Sequence, residues 1–244
     1  MTSHREALVF MAKVHEQTDH YEEMTKCIRE VAKMKGNLTI EERTLLSVAY
    51  KNVVGAHRRA YRVLKSILTK ERKRQRESHI KVIEQYLTVI VADLQRVCRE
   101  LLTILRNNTI PNATGAEAII FYHKLVGDYN RYLAEVVEGE EKTSCMKESS
   151  DAYQQAYELS LSLLPPTNPI RLGVALNLSV YLYEITGERE KAYDIAKTEF
   201  DNAIVLIDEL SETSCEDATL ILQLLRDNIH SWLIRFEDEA VVND

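Results

Sequence analysis

Residues 80–101 read IKVIEQYLTVIVADLQRVCREL, and their apolar positions Ile80, Ile83, Leu87, Ile90, Leu94, Val97 and Leu101 recur at 3-4-3-4-3-4 intervals. That is the period of one helix face, and no strand alternation competes with it. A seam this regular calls for a long helix packed lengthwise against another.

The same period extends outward in both directions. Ala7, Leu8, Met11 and Val14 share a face, as do Tyr21, Met24, Ile28 and Val31. Three Thr/Glu pairs have capping-box spacing, Thr39 with Glu42, Thr114 with Glu117 and Thr213 with Glu216, and Asn168 before Pro169 marks a fourth helix start. Gly36, Gly139 and Gly187 follow helical patterns, and Pro111, Pro165 and Pro166 fall in the breaks. Further helices are predicted at about 115–138, 144–163, 169–186, 188–210 and 214–235, about nine in all, joined antiparallel by short loops. With 244 residues, 45% apolar and 28% charged, the chain can bury a sizeable core. Its 7 Gly and 4 Pro are too few for a many-stranded sandwich. No linker interrupts the pattern, so residues 1–235 are expected to be one all-α domain, with 236–244 (FEDEAVVND) a short, disordered acidic tail.

Composition narrows function. A net charge of −7 opposes nucleic acid and acidic membranes, so any anion site must be a local cluster of Lys and Arg. No apolar run approaches the roughly 20 residues a bilayer requires. Cys27, Cys98, Cys145 and Cys215 form no CxxC pair and no apolar leader precedes them, which points to a reducing cytoplasm. The seven His have no metal spacing, and neither a Gly-rich phosphate loop nor a GxSxG elbow occurs. No catalytic residue, metal or cofactor is expected. The basic run ERKRQRE at 71–77 lacks interleaved aromatics and fits a solvated helix end.

Two helices carry charge stripes. In SVAYKNVVGAHRRAYRVL, residues 47–64, Lys51, Arg58 and Arg62 fall at i, i+7 and i+11 of one face. In FYHKLVGDYNRYLAE, residues 121–135, Lys124, Asp128, Arg131 and Glu135 fall at i, i+4, i+7 and i+11 of one face, with Tyr132 next to Arg131. Spacing alone allows a solvated, salt-bridged face for each. Facing one another, the stripes would gather Lys51, Arg58, Arg131 and a Tyr132 hydroxyl, which is chemistry for a phosphate: guanidinium forks bind its oxygens bidentately and Lys adds a compact charge. Residues 168–187 add Asn177 and Glu184 seven apart, beside Leu176 and Val180, and residues 219–232 add Leu220, Leu224, Asn228 and Trp232 at four-residue intervals. These polar groups are either satisfied in a core or clamp the main chain of an extended peptide.

Together RTLLSVAYKNVVGAHRRAYRVL, GDYNRYLAE, PTNPIRLGVALNLSVYLYEI and TLILQLLRDNIHSW resemble the 14-3-3 proteins, from the first helix to Trp232. The resemblance implies a nine-helix dimer with one amphipathic groove per subunit and no enzymatic activity. It also implies binding of phosphoserine and phosphothreonine segments of client proteins as a signalling adaptor, with neither nucleic acid nor membrane as a partner. On it, Lys51, Arg58, Arg131 and Tyr132 bind phosphate, and Lys124, Leu176, Asn177, Val180, Glu184, Leu220, Ile221, Leu224, Asn228 and Trp232 line the peptide groove. The N-terminal helices, about 3–35, would form the homodimer or heterodimer contact. There the chain departs from the family. Ala60 replaces a serine whose phosphorylation loosens the dimer, Tyr61 replaces Trp, and two intersubunit salt bridges map onto His20 with Asp93 and Glu23 with Val89. Tyr86 is kept, and Ser231 replaces a larger apolar residue in the groove. A tetratricopeptide-like scaffold for unphosphorylated peptides is the alternative, although its 34-residue period is not sustained.

Overall fold

The structure is a computed structural model. It describes residues 3–207 and 212–243, with side chains described for 3–207 and 216–236. Among the described residues there are nine α-helices and no strands: α1 (His4–Gln17), α2 (Tyr21–Lys33), α3 (Ile40–Lys73), α4 (Glu77–Ile104), α5 (Ala116–Ala134), α6 (Gly139–Leu163), α7 (Pro169–Tyr181), α8 (Arg189–Ile204) and α9 (Glu212–Asn243). The all-α expectation is met. Helices α4 and α7 each end in a π-helical turn, Leu105–Thr109 and Leu182–Thr186. The side chains of the predicted acidic tail lie, beyond Phe236, outside the described residues.

The chain packs as two compact units, one of Met1–Thr114 with Tyr129–Ser149 and the other of Gly115–Asp128 with Ser150–Asp244. In the first, the α4 seam turns inward toward its C-terminal half: Ile90, Leu94, Val97 and Leu101 are buried, whereas Ile80, Ile83 and Leu87 are half-buried. Met24, Ile28, Val31, Leu46 and Tyr50 complete this core. The basic run 71–77 is a helix junction. Buried Glu71 pairs with Arg74 at 3.2 Å and Arg76 at 3.6 Å, and His79 Nδ1 lies 2.8 Å from its carboxylate, which ties the end of α3 to the start of α4.

The Thr39/Glu42 capping box forms as predicted, and Glu42 does more. Its carboxylate accepts the Arg5 fork at 2.6 Å from both Nε and Nη2, holding α1 against α3, and the Thr39 N–H at 2.8 Å. Burial alone pushes the Glu42 carboxyl up, but these donors outweigh it and hold it below the usual carboxylate range. A lowered folded-state pKa contributes stability above the unfolded value of about 4.3 and loses it as pH falls through the folded value. Hydrogen exchange should therefore show α1 protection falling as pH drops below about 4. In an Arg5→Ala variant, α1 should already be less protected at neutral pH and should change less on acidification.

In the second unit, Asn168 caps α7, its Oδ1 accepting the Ile170 N–H at 2.9 Å ahead of Pro169. The Thr114/Glu117 box does not form. Helix α5 starts at Ala116 after Gly115 in the left-handed region, φ +87°, so the chain turns one residue later than the pattern implied. Thr114 Oγ1 instead accepts from Asn37 at 2.8 Å, and Glu117 accepts from Asn168 at 2.9 Å. The Thr213 side chain lies outside the described residues. The larger core of this unit joins Leu172, Leu178, Tyr181, Ala192, Ala196, Leu222, Leu225 and Trp232. Gly127 on α5 lets the buried Tyr153 ring lie against the helix, because a Cβ there would sit 2.6 Å from the ring.

Candidate functional site

In the first unit, the helical spacing places Lys51 two turns before Arg58 on one face of α3. Lys51 is exposed. Arg58 is half-buried and forms a fork with Glu135, Nη2 to Oε1 at 2.5 Å and Nε to Oε2 at 3.0 Å. Its guanidinium also lies over the Tyr132 ring, 3.9 Å from the centroid, and that of Arg131 lies 4.7 Å from the same centroid. Two guanidinium groups thus share one tyrosine ring, an arrangement in which each cation is attracted by the ring face while repelling the other. Arg62, mostly exposed, reaches Glu135 Oε1 at 3.6 Å.

Position is fixed from beneath. Tyr132 packs edge-on to buried Tyr129, and Tyr129 edge-on to buried Tyr50, so the ring is braced by α3 and α5. Arg58 and Arg62 both pair with Glu135, Arg131 shares the Tyr132 ring with Arg58, and exposed Lys51 adds a further cation two turns before Arg58 on α3. Such a concentration suits a multiply charged anion: a phosphate brings about −1.5 to −2 charge and three acceptor oxygens. Burial pushes the Cys98 thiol up to about 12, far from nucleophilic reactivity at neutral pH.

In the second unit, Lys124, Asp128 and Asn177 come together. Lys124 Nζ donates to Asp128 Oδ2 at 2.7 Å, and Asn177 Nδ2 donates to Asp128 Oδ1 at 2.6 Å. Leu176 and Val180 are half-buried beside Asn177 on α7. Glu184 is exposed on the π-helical turn that ends α7. On α9, Leu220 and Leu224 are 64% and 46% exposed, with Ile221 and Asn228 half-buried nearby. Trp232 packs inward instead. It is buried and stacked on Tyr183, ring centroids 4.6 Å apart and planes 9° from parallel.

Three residues to which the sequence assigned no binding role belong to these clusters: Glu135, Asp128 and Tyr153. The first two were visible as the acidic members of the α5 stripe, four residues after Arg131 and Lys124. Tyr153 carried no signal, since its hydroxyl meets Asp128 only through the packing of α6 on α5.

A sequence model of the family described as "14-3-3 protein" matches residues 11–233. The chain is 46% identical over 228 residues to the 14-3-3-like protein GF14 iota of Arabidopsis thaliana, covering 93% of this chain and 85% of the relative. It is 44% identical over 246 residues to a 14-3-3-like protein of Chlamydomonas reinhardtii, covering 100% and 95%, and 44% identical over 237 residues to 14-3-3 protein epsilon of Drosophila melanogaster, covering 97% and 90%. Membership implies the binding of phosphorylated client proteins and dimer formation, and the tetratricopeptide-like alternative is not favoured. Nine helices, a cationic cluster built on α3 and α5, and relatives matched over almost their whole lengths agree: this chain belongs to the 14-3-3 family of phosphopeptide-binding adaptors, which are not enzymes.

Proposed function

We propose that Lys51, Arg58, Arg131 and Tyr132 hold the phosphate of a phosphoserine or phosphothreonine peptide. The observation that supports this is the pair of arginines sharing the Tyr132 ring, with exposed Lys51 two turns before Arg58 on α3. Lys124 and Asn177 engage the flanking main chain, Asn228 and Glu184 add polar contacts, and Leu176, Val180, Leu220, Ile221 and Leu224 receive apolar side chains. Trp232 acts from the core, by bracing Tyr183 at the end of α7. Binding alone is the mechanism: the client's phosphorylation supplies the charge that offsets desolvation of the cations. Anisotropy of a labelled peptide should show at least about 100-fold tighter binding with phosphoserine than with serine, the equivalent of two lost charge-assisted bonds. Equal affinity for the two forms would overturn the assignment.

The chain acts as a cytoplasmic dimer, pairing with itself or a related subunit through the N-terminal helices and α4. Val82, Tyr86 and Val89 are each more than half exposed at i, i+4 and i+7 of α4, an apolar strip suited to burial against a second subunit. Two linked sites would raise avidity toward doubly phosphorylated clients by about 10² to 10⁴-fold where the linker spans both. Sedimentation velocity should give twice the 28.1 kDa chain mass; a monomer at micromolar concentration would refute the pairing.

A further inference from the structure

We propose that Asp128 is a positioning residue that orients the peptide-clamping groups, Asn177 and Lys124, before a ligand arrives; this rests on the phosphopeptide assignment above. Asp128 is 4% exposed, and all of its bonds to these groups form within one compact unit. Its Oδ1 accepts from Asn177 Nδ2 at 2.6 Å and from the Tyr153 hydroxyl, while its Oδ2 accepts from Lys124 Nζ at 2.7 Å.

The chemistry of the acceptor determines the orientation of the clamp. An ionised carboxylate has no hydrogen to give, so the Asn177 amide must turn its NH₂ toward Asp128. The carbonyl oxygen Oδ1 is thereby directed away from the carboxylate, together with one remaining Nδ2 hydrogen. That presents an acceptor and a donor in a defined order, which is what reading an extended main chain demands. Lys124 is held in the same way. Its stem lies across Gly173, where an added Cβ would stand 3.5 Å from Lys124 Cε, one helical turn before Asn177 on α7. One carboxylate therefore sets both groups side by side.

Tyr153 supports the carboxylate from α6, and Gly127, the residue before Asp128, makes the space for its ring. Without Asp128 the amide could flip, presenting NH₂ where a peptide N–H must be received, and Lys124 would lose its restraint. Pre-organised donors lose less rotamer freedom on binding, so part of the affinity resides in this arrangement.

The test uses the full chain with a phosphoserine peptide, its serine form, and a set of phosphoserine peptides in which single main-chain amides are replaced by esters. Wild type should show phosphoserine dependence and an ester penalty of about 3- to 10-fold at one position, the size of one neutral hydrogen bond. Asp128→Asn should weaken phosphoserine-peptide binding about tenfold, keep the ratio between phosphoserine and serine forms, and abolish the ester penalty. Loss of folding by that variant would be bypassed with Tyr153→Phe, which removes one donor to Asp128 and should reduce the ester penalty while leaving the phosphate ratio intact. An unchanged ester penalty in a folded variant would overturn the positioning role. Absence of phosphoserine dependence in wild type would instead overturn the underlying assignment, and the inference with it.

Discussion

Reversing the charge at Lys51 should abolish the preference for phosphorylated peptides. Lys51→Glu removes a cation beside the arginine pair and places an anion in the phosphate site proposed above. Each charge-assisted bond is worth about 1.5–3 kcal/mol, and repulsion adds to that loss, so affinity for a phosphoserine peptide should fall by more than about 100-fold. The fold should survive: Lys51 is exposed in the middle of α3, and Glu is as good a helix former as Lys. Peptide anisotropy beside a far-ultraviolet CD spectrum checks both halves of the expectation. A Lys51→Glu protein that still bound phosphopeptide tightly would place the phosphate elsewhere.

The largest loss of stability is expected at Arg171, far from any charge stripe in the sequence. Its guanidinium donates to Glu199 Oε2 at 2.7 Å and Oε1 at 3.0 Å, and to the Leu164 carbonyl at 2.9 Å. The side chains are 8% and 0% exposed, so neither ion has water in reserve. Arg171→Ala would strand the Glu199 carboxylate in the core and orphan a carbonyl, at a cost of about 3–5 kcal/mol. That is a large part of a typical domain's stability of about 5–15 kcal/mol. The midpoint of urea denaturation reads the effect, and a shift equivalent to less than about 1 kcal/mol would refute it. Replacing both partners, Arg171→Met with Glu199→Leu, should recover most of the loss, because no buried charge then remains unpaired. Tyr157 reports on the same pocket: burial, with Glu199 close by, pushes its hydroxyl up to about 12, so it stays neutral through ordinary pH.

Much of the architecture was legible because helices write themselves locally. The seam from Ile80 to Leu101, the Thr39/Glu42 box and the Asn168-Pro169 start each use residues within a few positions of one another, and each appears where the pattern placed it. The Thr114 box failed for an equally local reason. Gly115 adopts a conformation with φ +87°, and a side chain can cap only the turn that the backbone makes.

The cations of the site were legible for a related reason. Lys51 and Arg58 share a face of one helix, and Arg131 and Tyr132 are neighbours, so the period of about 3.6 defines each pair, while the resemblance to the 14-3-3 proteins joined the two pairs into one site. The long-range pairings of the acidic residues in the second stripe were not legible. Glu135 reaches Arg58 across 77 residues of sequence and Asp128 reaches Asn177 across 49, distances over which periodicity carries no information. Trp232 makes the same point from the apolar side. Its spacing with Leu220, Leu224 and Asn228 is that of a common face, yet it stacks on Tyr183 in the core while the two leucines remain exposed.

By itself, then, the sequence determined that this chain is a bundle of helices with two charge stripes rich in Lys and Arg, since both follow from side-chain chemistry repeated at helical spacing. Only the tertiary structure decided that Glu135 restrains Arg58, which way the Asn177 amide faces and which aromatic ring turns inward. Those choices depend on helices far apart in sequence meeting at hydrogen-bond distance, where a buried carboxylate must find its donors.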